Sequence, residues 1–226
     1  MQDTDFEPDQ RTKIMKAVAK YGKVINFTSQ GQGPLVQWIR KRFAALGKNA
    51  LPDACVTLIY LSGELMNGLI PEIEKIAAGT QGELVTAEDV SRLAMRIPEA
   101  RVFEMTDQLA ARDYDGACRT LADLMAMGEE PIAILAVIGT QMRRLYAARV
   151  AVDEKLGGDF VRQYCGVKFD FMVDRLLRSA RGFDTEDLAR AVELCAETDY
   201  AMKSTGMDGA DLLSELLIKI AAGARA

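Results

Sequence analysis

Apolar residues recur along most of this chain at the three- and four-residue spacing of amphipathic helices. In one such segment Ala117, Leu121 and Met125 fall on the same side of a helix. Gly128 follows as a C-terminal stop, and Pro131 opens the next helix at its first turn. In the C-terminal half the pattern predicts helices over residues 102–111, 114–127, 131–156, 159–165, 169–181, 186–203 and 209–222.

The N-terminal half shows the same helical spacing with one β-type interruption. Residues 24–27 are the only convincing strand, and because a lone strand cannot satisfy its own backbone, we expect the rest of an α/β domain to precede this chain. Pro71 should kink the helix at 65–78 or mark the true start of that helix. Thr86 and Asp89 have the spacing of a capping box. Ile97 and Pro98 are expected to close this helical unit. The predicted helices cover residues 9–22, 34–46, 52–61 and 65–78 and a further one that starts at 86, with a flexible joint at 29–33.

Composition indicates a chain that can bury a sizeable core. Of the 226 residues 49% are hydrophobic, and the length suits about two domains. The formal net charge of −5 excludes a basic field over the whole molecule, although a local basic patch stays open. Cys55, Cys118, Cys165 and Cys195 are widely scattered, so we expect reduced, mostly buried thiols in a cytoplasmic protein.

The sequence lacks the residues on which most catalytic and metal chemistry depends. It has no histidine and no C-x-x-C pair, and its glycines do not form the phosphate-binding pattern of a P-loop. We therefore expect no catalytic, cofactor-binding or metal-binding residues. The first 20 residues lack the apolar segment of a signal peptide. No run of about 18 apolar residues predicts a membrane span.

Residues 160–181 suggest one alternative function, DNA binding. A short helix, a glycine turn and a second helix have the proportions of a helix-turn-helix. The candidate DNA contacts are Lys168, Arg175, Arg178 and Arg181, and the function would be that of a helical DNA-binding regulator. Two packed helices with a solvated basic face would give the same pattern. An enzyme with an unusual active site is a third option, for which the sequence offers no motif.

Several short motifs follow one another in order along the chain. In the C-terminal half these motifs are F-x-x-T-D-x-L from Phe103, A-x-x-x-L-x-x-L from Ala117, G-E-E-P-I-x-I-L from Gly128 and Q-x-R-x-L from Gln141. In the N-terminal half, W-I-x-x-R-x-x-x-x-G from Trp38 resembles the first helix of an AAA+ lid. Each motif is short, but their order and spacing over most of the chain resemble the DNA polymerase III delta subunit family.

The resemblance implies a mainly all-α chain with three parts. Residues 1–33 would be a helix-and-strand remnant of an α/β AAA+ core, residues 34–98 the helical lid, and residues 99–226 the helical collar. The chain would be a non-catalytic subunit of the DNA polymerase III complex, which is a nucleotidyltransferase. Its collar would assemble with the ATPase (tau/gamma) and delta-prime subunits in the cytoplasm, with no membrane contact, and the complex would load the sliding clamp onto primed DNA. The contact with the clamp itself would belong to the core that this chain lacks.

The resemblance also implies which residues build the collar and its interfaces. The candidate residues lie on the long helix and on the final helix: Ile138, Met142, Leu145, Leu213, Leu217 and Ile220. Whether each of them faces the core or a partner stays open. After G-E-L at residues 63–65, Met66 stands where active AAA+ ATPases often carry an arginine that senses the γ-phosphate. A thioether cannot pair with a phosphate, which agrees with a subunit that is not an ATPase.

Overall fold

The computed structural model describes residue 9, residues 11–22 and residues 30–223. Within these ranges the chain is mainly α-helical, so the predicted fold class is confirmed. The helices are α1 (Lys13–Tyr21), α2 (Gln32–Ala45), α3 (Pro52–Ser62), α4 (Met66–Gly79), α5 (Ala87–Leu93), α6 (Pro98–Ala110), α7 (Tyr114–Ala126), α8 (Pro131–Asp153), α9 (Gly157–Cys165), α10 (Asp170–Ala180), α11 (Thr185–Ser204) and α12 (Gly209–Gly223). Two short strands are β1 (Asn49–Ala50) and β2 (Leu84–Val85).

Most helices begin at the signals that the sequence carries. Pro52, Pro98 and Pro131 each lie in the first turn, where a missing amide hydrogen costs no intrahelical bond. At the start of α5 the Asp89 amide donates to Thr86 Oγ1 (3.2 Å) and the Thr86 amide donates to Asp89 Oδ2 (3.1 Å). This reciprocal pair confirms the predicted capping box.

Several boundaries differ from the sequence prediction. Pro98 does not close a unit but opens α6, because proline fits the first position of a helix well. Helix α2 begins at Gln32, so Pro34 also lies in a first turn. Pro71 lies inside α4, which begins at Met66, so the proline does not mark the start of this helix.

The strand pair β1–β2 was not predicted, because two residues are too few to show an alternating pattern. The strands are parallel, with Asn49 opposite Leu84. Beside them the Lys48 ammonium donates to the carbonyl oxygen of Thr80 (2.9 Å), just beyond the end of α4. The strand predicted at 24–27 lies outside the described residues.

The buried apolar side chains form two clusters. The first core is built by α2–α5 with β1 and β2, and the second core by α6–α12. Helix α6 takes part in both, since Ala100 belongs to the first core and Phe103 to the second. Phe169, just before α10, is buried in the first core, whereas Val167 and Val173 on either side of it along the chain belong to the second. The two cores therefore meet along α6 and at the start of α10.

Helix α1 stands apart from both cores. Its apolar side carries Ile14, Val18 and Tyr21, all of them exposed, and none of its side chains is buried. The helix predicted at 9–22 is thus present but contributes to neither cluster.

Across the described ranges, no helix has both the length and the apolar character needed to cross a bilayer.

Candidate subunit interface and the junction of the two cores

The six candidate interface residues are all buried within this chain. On α8 and α12 they are at most 7% exposed, and all belong to the second core: Ile138, Met142, Leu145, Leu213, Leu217 and Ile220. They belong to the cluster in which α8 packs against α11 and α12. Side chains buried this deeply have little area left for a partner, so these positions serve the intramolecular core. Large apolar side chains that do face outward on the same helices are Ile132, Tyr146 and Ile218.

The four candidate DNA contacts are not a free basic surface. Lys168 forms an ion pair with Glu64 of the first core (3.3 Å). Two residues later the Asp170 amide donates to Gln32 Oε1 (3.1 Å), which links the start of α10 to α2. The segment before α10 is therefore tied to the first core by polar contacts in addition to the buried ring of Phe169.

Arg175 is held at the junction by an acid and an aromatic ring. Its guanidinium forms an ion pair with Asp107 on α6 and lies over the Tyr60 ring of α3, 4.3 Å from the centroid. Asp107 also accepts a hydrogen bond from the Ser179 hydroxyl. Burial raises the pKa of the Tyr60 hydroxyl, which donates to the carbonyl oxygen of Ala100 (3.4 Å). One polar cluster thus connects α3, α6 and α10.

Of the four candidates only Arg175 is partly buried, and Lys168 is exposed but paired with Glu64. Arg178 and Arg181 are exposed, and the Arg178 guanidinium donates to the carbonyl oxygen of Asp174 in its own helix (3.4 Å). The opposite side of α10 is buried through Val173 and Leu176. Helix α10 is therefore a packed connecting element, and its geometry gives no support to the helix-turn-helix alternative.

A cleft of about 390 Å³ lies at the junction of the two cores. Its walls include Tyr60, Phe103 and Met172, and charged side chains of Glu64 and Arg144 line it as well. Tyr60 and Phe103 form an edge-to-face pair with ring centroids 5.9 Å apart. The cleft and the Arg175 cluster therefore place aromatic and charged groups between the two cores.

Two of the sequence motifs meet inside the second core. The Thr106 hydroxyl donates to the carbonyl oxygen of Phe103 (2.9 Å) and accepts a hydrogen bond from Gln141 Nε2 (3.4 Å). Thr106 and Asp107 belong to one motif and Gln141 to another, 35 residues away. Sequence reasoning noted the motifs but missed these contacts, because spacing along the chain carries no signal for pairing between distant helices.

The expectation of mostly buried thiols is only partly correct. Cys55 and Cys195 are buried and Cys165 is half-buried, but Cys118 is exposed on α7. Burial raises the pKa of the Cys55 and Cys195 thiols to about 11, which keeps them protonated and unreactive. In the described part of the chain, no group of three or more histidine, cysteine or acidic side chains is placed to hold a metal ion.

Met66 occupies the first position of α4 and packs against the first core. Its side chain therefore has an apolar role at the position where the resemblance implies a phosphate-sensing arginine in active ATPases. No group on this side chain can donate a hydrogen bond to a phosphate.

Comparison with known proteins assigns the second core to a family. The family model for "DNA polymerase III delta subunit, C-terminal domain" matches residues 99–220, which is more than half of the chain. The chain belongs to the DNA polymerase III delta subunit family. The matched range runs from the first turn of α6 into α12 and so covers the second core.

Individual delta-subunit relatives agree with this assignment. The chain is 27% identical over 207 residues to "Probable DNA polymerase III subunit delta" of Aquifex aeolicus, covering 90% of this chain and 59% of that protein. It is 26% identical over 212 residues to "DNA polymerase III subunit delta" of Bacillus subtilis, covering 93% and 60%. The chain therefore spans about three fifths of the length of these curated relatives.

The fold comparison extends over both cores. The solved structure of "Bacillus subtilis DNA clamp loader delta protein (YqeN)" matches with a TM-score of 0.69 and 25% sequence identity. The match covers 96% of this chain and 64% of that one. Since 96% of the chain is more than the second core alone, the similarity also includes helices of the first core.

Proposed function

We propose that this chain is the lid and collar portion of a non-catalytic clamp-loader subunit. In this proposal the first core is the lid (34–98), the second core is the collar (99–226), and residues 1–33 belong to an AAA+ core. The collar assembles with the tau/gamma ATPases and the delta-prime subunit in the cytoplasm, and the assembly loads the sliding clamp onto primed DNA. The observation that carries the proposal is the family match over residues 99–220, supported by the delta-protein fold over 96% of the chain.

The proposed role is mechanical. The polar cluster around Arg175, the ion pair of Lys168 with Glu64 and the buried ring of Phe169 join the two cores at several points. Such a junction holds the lid at a defined angle to the collar, so that assembly of the collars would position the lids. Met66 in place of a phosphate-sensing arginine fits a subunit that takes no part in ATP hydrolysis.

The partner-facing residues of the proposed collar are the outward apolar side chains on α8 and α12. The six buried candidates support these helices from within, and Ile132, Tyr146 and Ile218 project from their outer sides. Large apolar and aromatic side chains in the centre of an interface contribute most of its binding energy. Ile218 is the most exposed of the three, at 64%.

The test is assembly of the chain with the ATPase and delta-prime subunits of the same organism, followed by size-exclusion chromatography with light scattering. We expect a stable complex that does not require ATP. We expect Ile218→Glu to weaken it at least tenfold, because burying an unpaired carboxylate in an apolar interface is unfavourable. Met95→Glu is the matched control, since Met95 is equally exposed (67%) but lies beside the first core.

The outcomes separate the general proposal from the interface residues. A well-folded wild-type chain that binds neither subunit would contradict the clamp-loader assignment. Normal assembly of the Ile218→Glu variant would leave that assignment intact and remove Ile218 from the interface. The DNA-binding regulator is not proposed as a second function, because Lys168 and Arg175 are engaged within the chain.

A further inference from the structure

The charges of this chain are strongly segregated along the sequence. Residues 10–52 contain nine lysines and arginines and not one aspartate or glutamate. Residues 53–226 contain 19 basic and 29 acidic residues, so the net charge of −5 conceals a basic segment. Such a segment produces a local positive potential that the composition of the whole chain does not reveal.

Helix α2 places part of this charge on one outer face. Its inner side is fixed by Leu35, Ile39 and Phe43, which are buried in the first core. Arg40 and Lys41 are directed away from this stripe and are exposed. Neither forms an ion pair with any residue in the described ranges, so both charges are available to a ligand.

On the outer side of α2 itself, the neighbours of these two cations are small or uncharged. Gln37 and Ala44 share the outer side of α2, and a side chain at Gly33 would meet nothing within 4 Å. Arg42, on the flank, lies over the Trp38 ring at 5.3 Å from the centroid. An anion that approaches this side of α2 therefore meets no carboxylate of the helix itself.

We propose that this outer face of α2, defined by Gln37, Arg40 and Lys41, binds the phosphate backbone of DNA. Lysine is depleted from protein–protein interfaces, whereas lysine, arginine and glutamine donors together are typical of phosphate contacts. The complete absence of carboxylates from residues 10–52 also fits a polyanion better than a protein surface of mixed charge. The inference names a DNA contact within the proposed clamp-loader subunit, and in that respect it rests on the proposed function.

The experiment measures binding of the whole chain to a fluorescently labelled primer–template DNA by anisotropy over a series of salt concentrations. The test variant is the double substitution Arg40→Ala/Lys41→Ala. We expect its affinity to fall about tenfold, and the slope of log K against log salt to decrease by about 2, because roughly 0.9 counterion is released for each phosphate contact. Both side chains are exposed, so circular dichroism should show an unchanged thermal transition.

The matched control is Arg178→Ala/Arg181→Ala, which removes the same charge from the exposed side of α10. We expect it to leave both affinity and slope unchanged. The proposal would be overturned by a wild-type chain that does not bind the DNA, by equal losses in the two variants, or by a loss only in the α10 variant.

Subunit assembly distinguishes this inference from the proposed function. We expect Arg40→Ala/Lys41→Ala to assemble normally with the ATPase and delta-prime subunits. Loss of assembly with unchanged DNA binding would show that the α2 face binds an acidic protein surface, which overturns the DNA proposal but not the clamp-loader assignment. Failure of the wild-type chain to assemble would count against the proposed function itself, whatever the DNA titration shows.

Discussion

Arg175 shows how one side chain can connect distant parts of this chain. Its guanidinium contacts an aromatic ring on α3 and a carboxylate on α6, and the same carboxylate accepts a hydrogen bond from Ser179. All of these groups are partly shielded from solvent. Removing the arginine would leave the Asp107 charge without its main partner, and such loss is costlier than loss of an exposed ion pair.

We therefore predict that Arg175→Ala lowers the free energy of unfolding by about 1–3 kcal/mol. Arg178→Ala is the control on the same helix, and we expect a change within about 0.5 kcal/mol, since Arg178 is exposed. Urea denaturation followed by circular dichroism measures both. Equal effects of the two substitutions would mean that the Asp107 and Tyr60 contacts contribute nothing to stability.

The sequence could not show that Arg175 is paired within the chain, and the reason is physical. Four basic residues near one helix are typical of a DNA-binding surface, and their own segment contains no hint of a partner. The partner of Arg175 is Asp107, 68 residues away, and that of Lys168 is Glu64, 104 residues away. The local sequence pattern indicates the charge of a residue and the side of the helix on which it lies. Its ion-pair partner depends on which helices the fold brings together.

At the scale of single elements, the sequence signals of helix starts were reliable. The capping box at α5 depends on two side chains and two amides within four residues, so local sequence determines it completely. The boundary at Pro98 differed because proline is equally compatible with the end of one unit and the start of the next helix, and helix ends without a proline differed by up to four residues. The β1–β2 pair was not predictable, because its two strands are 33 residues apart and each is only two residues long.

We predict that Thr86→Ala destabilises the chain by about 0.5–2 kcal/mol, since the substitution removes the hydroxyl that caps the Asp89 amide. Hydrogen bonds from Thr86 lower the pKa of the Asp89 carboxyl. Because its pKa is lowered in the folded state, this carboxylate stabilises the fold at pH values above the ordinary pKa of aspartate. That contribution is lost as the pH falls through the pKa of the folded state. The difference between wild type and variant should therefore shrink in acid.

Thermal unfolding at pH 7 and at pH 3 provides the measurement for Thr86→Ala. Ser91→Ala is a suitable control, because Ser91 is exposed on the same short helix. An equal effect of the two substitutions at pH 7, or a Thr86→Ala effect that grows in acid, would contradict the capping argument.

At the scale of the whole molecule, the chain consists of two apolar cores joined by a mixed junction. Helical periodicity predicted nearly all helices of both cores, and the proposed division at residue 98 falls in the first turn of α6. The periodicity did not indicate that Phe169, close to α10, completes the first core. That placement depends on how α6 and α10 pack, which is a property of the assembled molecule.

Phe169 makes the coupling between the two cores testable. The chain has one tryptophan, Trp38, which packs against the first core, whereas circular dichroism reports mainly the more numerous helices of the second. In the wild type we expect urea transitions by tryptophan fluorescence and by circular dichroism to coincide, because the junction makes unfolding cooperative. Phe169→Ala should cost about 3–5 kcal/mol of packing at the junction. The fluorescence transition should then move to lower urea than the circular dichroism transition.

Phe160→Ala is the control for this prediction, because Phe160 is half-buried against the second core and stacks on Tyr164 at 5.4 Å between ring centroids. This substitution should destabilise the second core, but the fluorescence transition should not move to lower urea than the circular dichroism transition. If the two transitions of Phe169→Ala still coincide, the ring of Phe169 does not couple the cores. The coupling would then have to come from the shared helix α6 and the Arg175 cluster. If only Phe169→Ala separates them, a single aromatic side chain accounts for much of the cooperativity between the two cores.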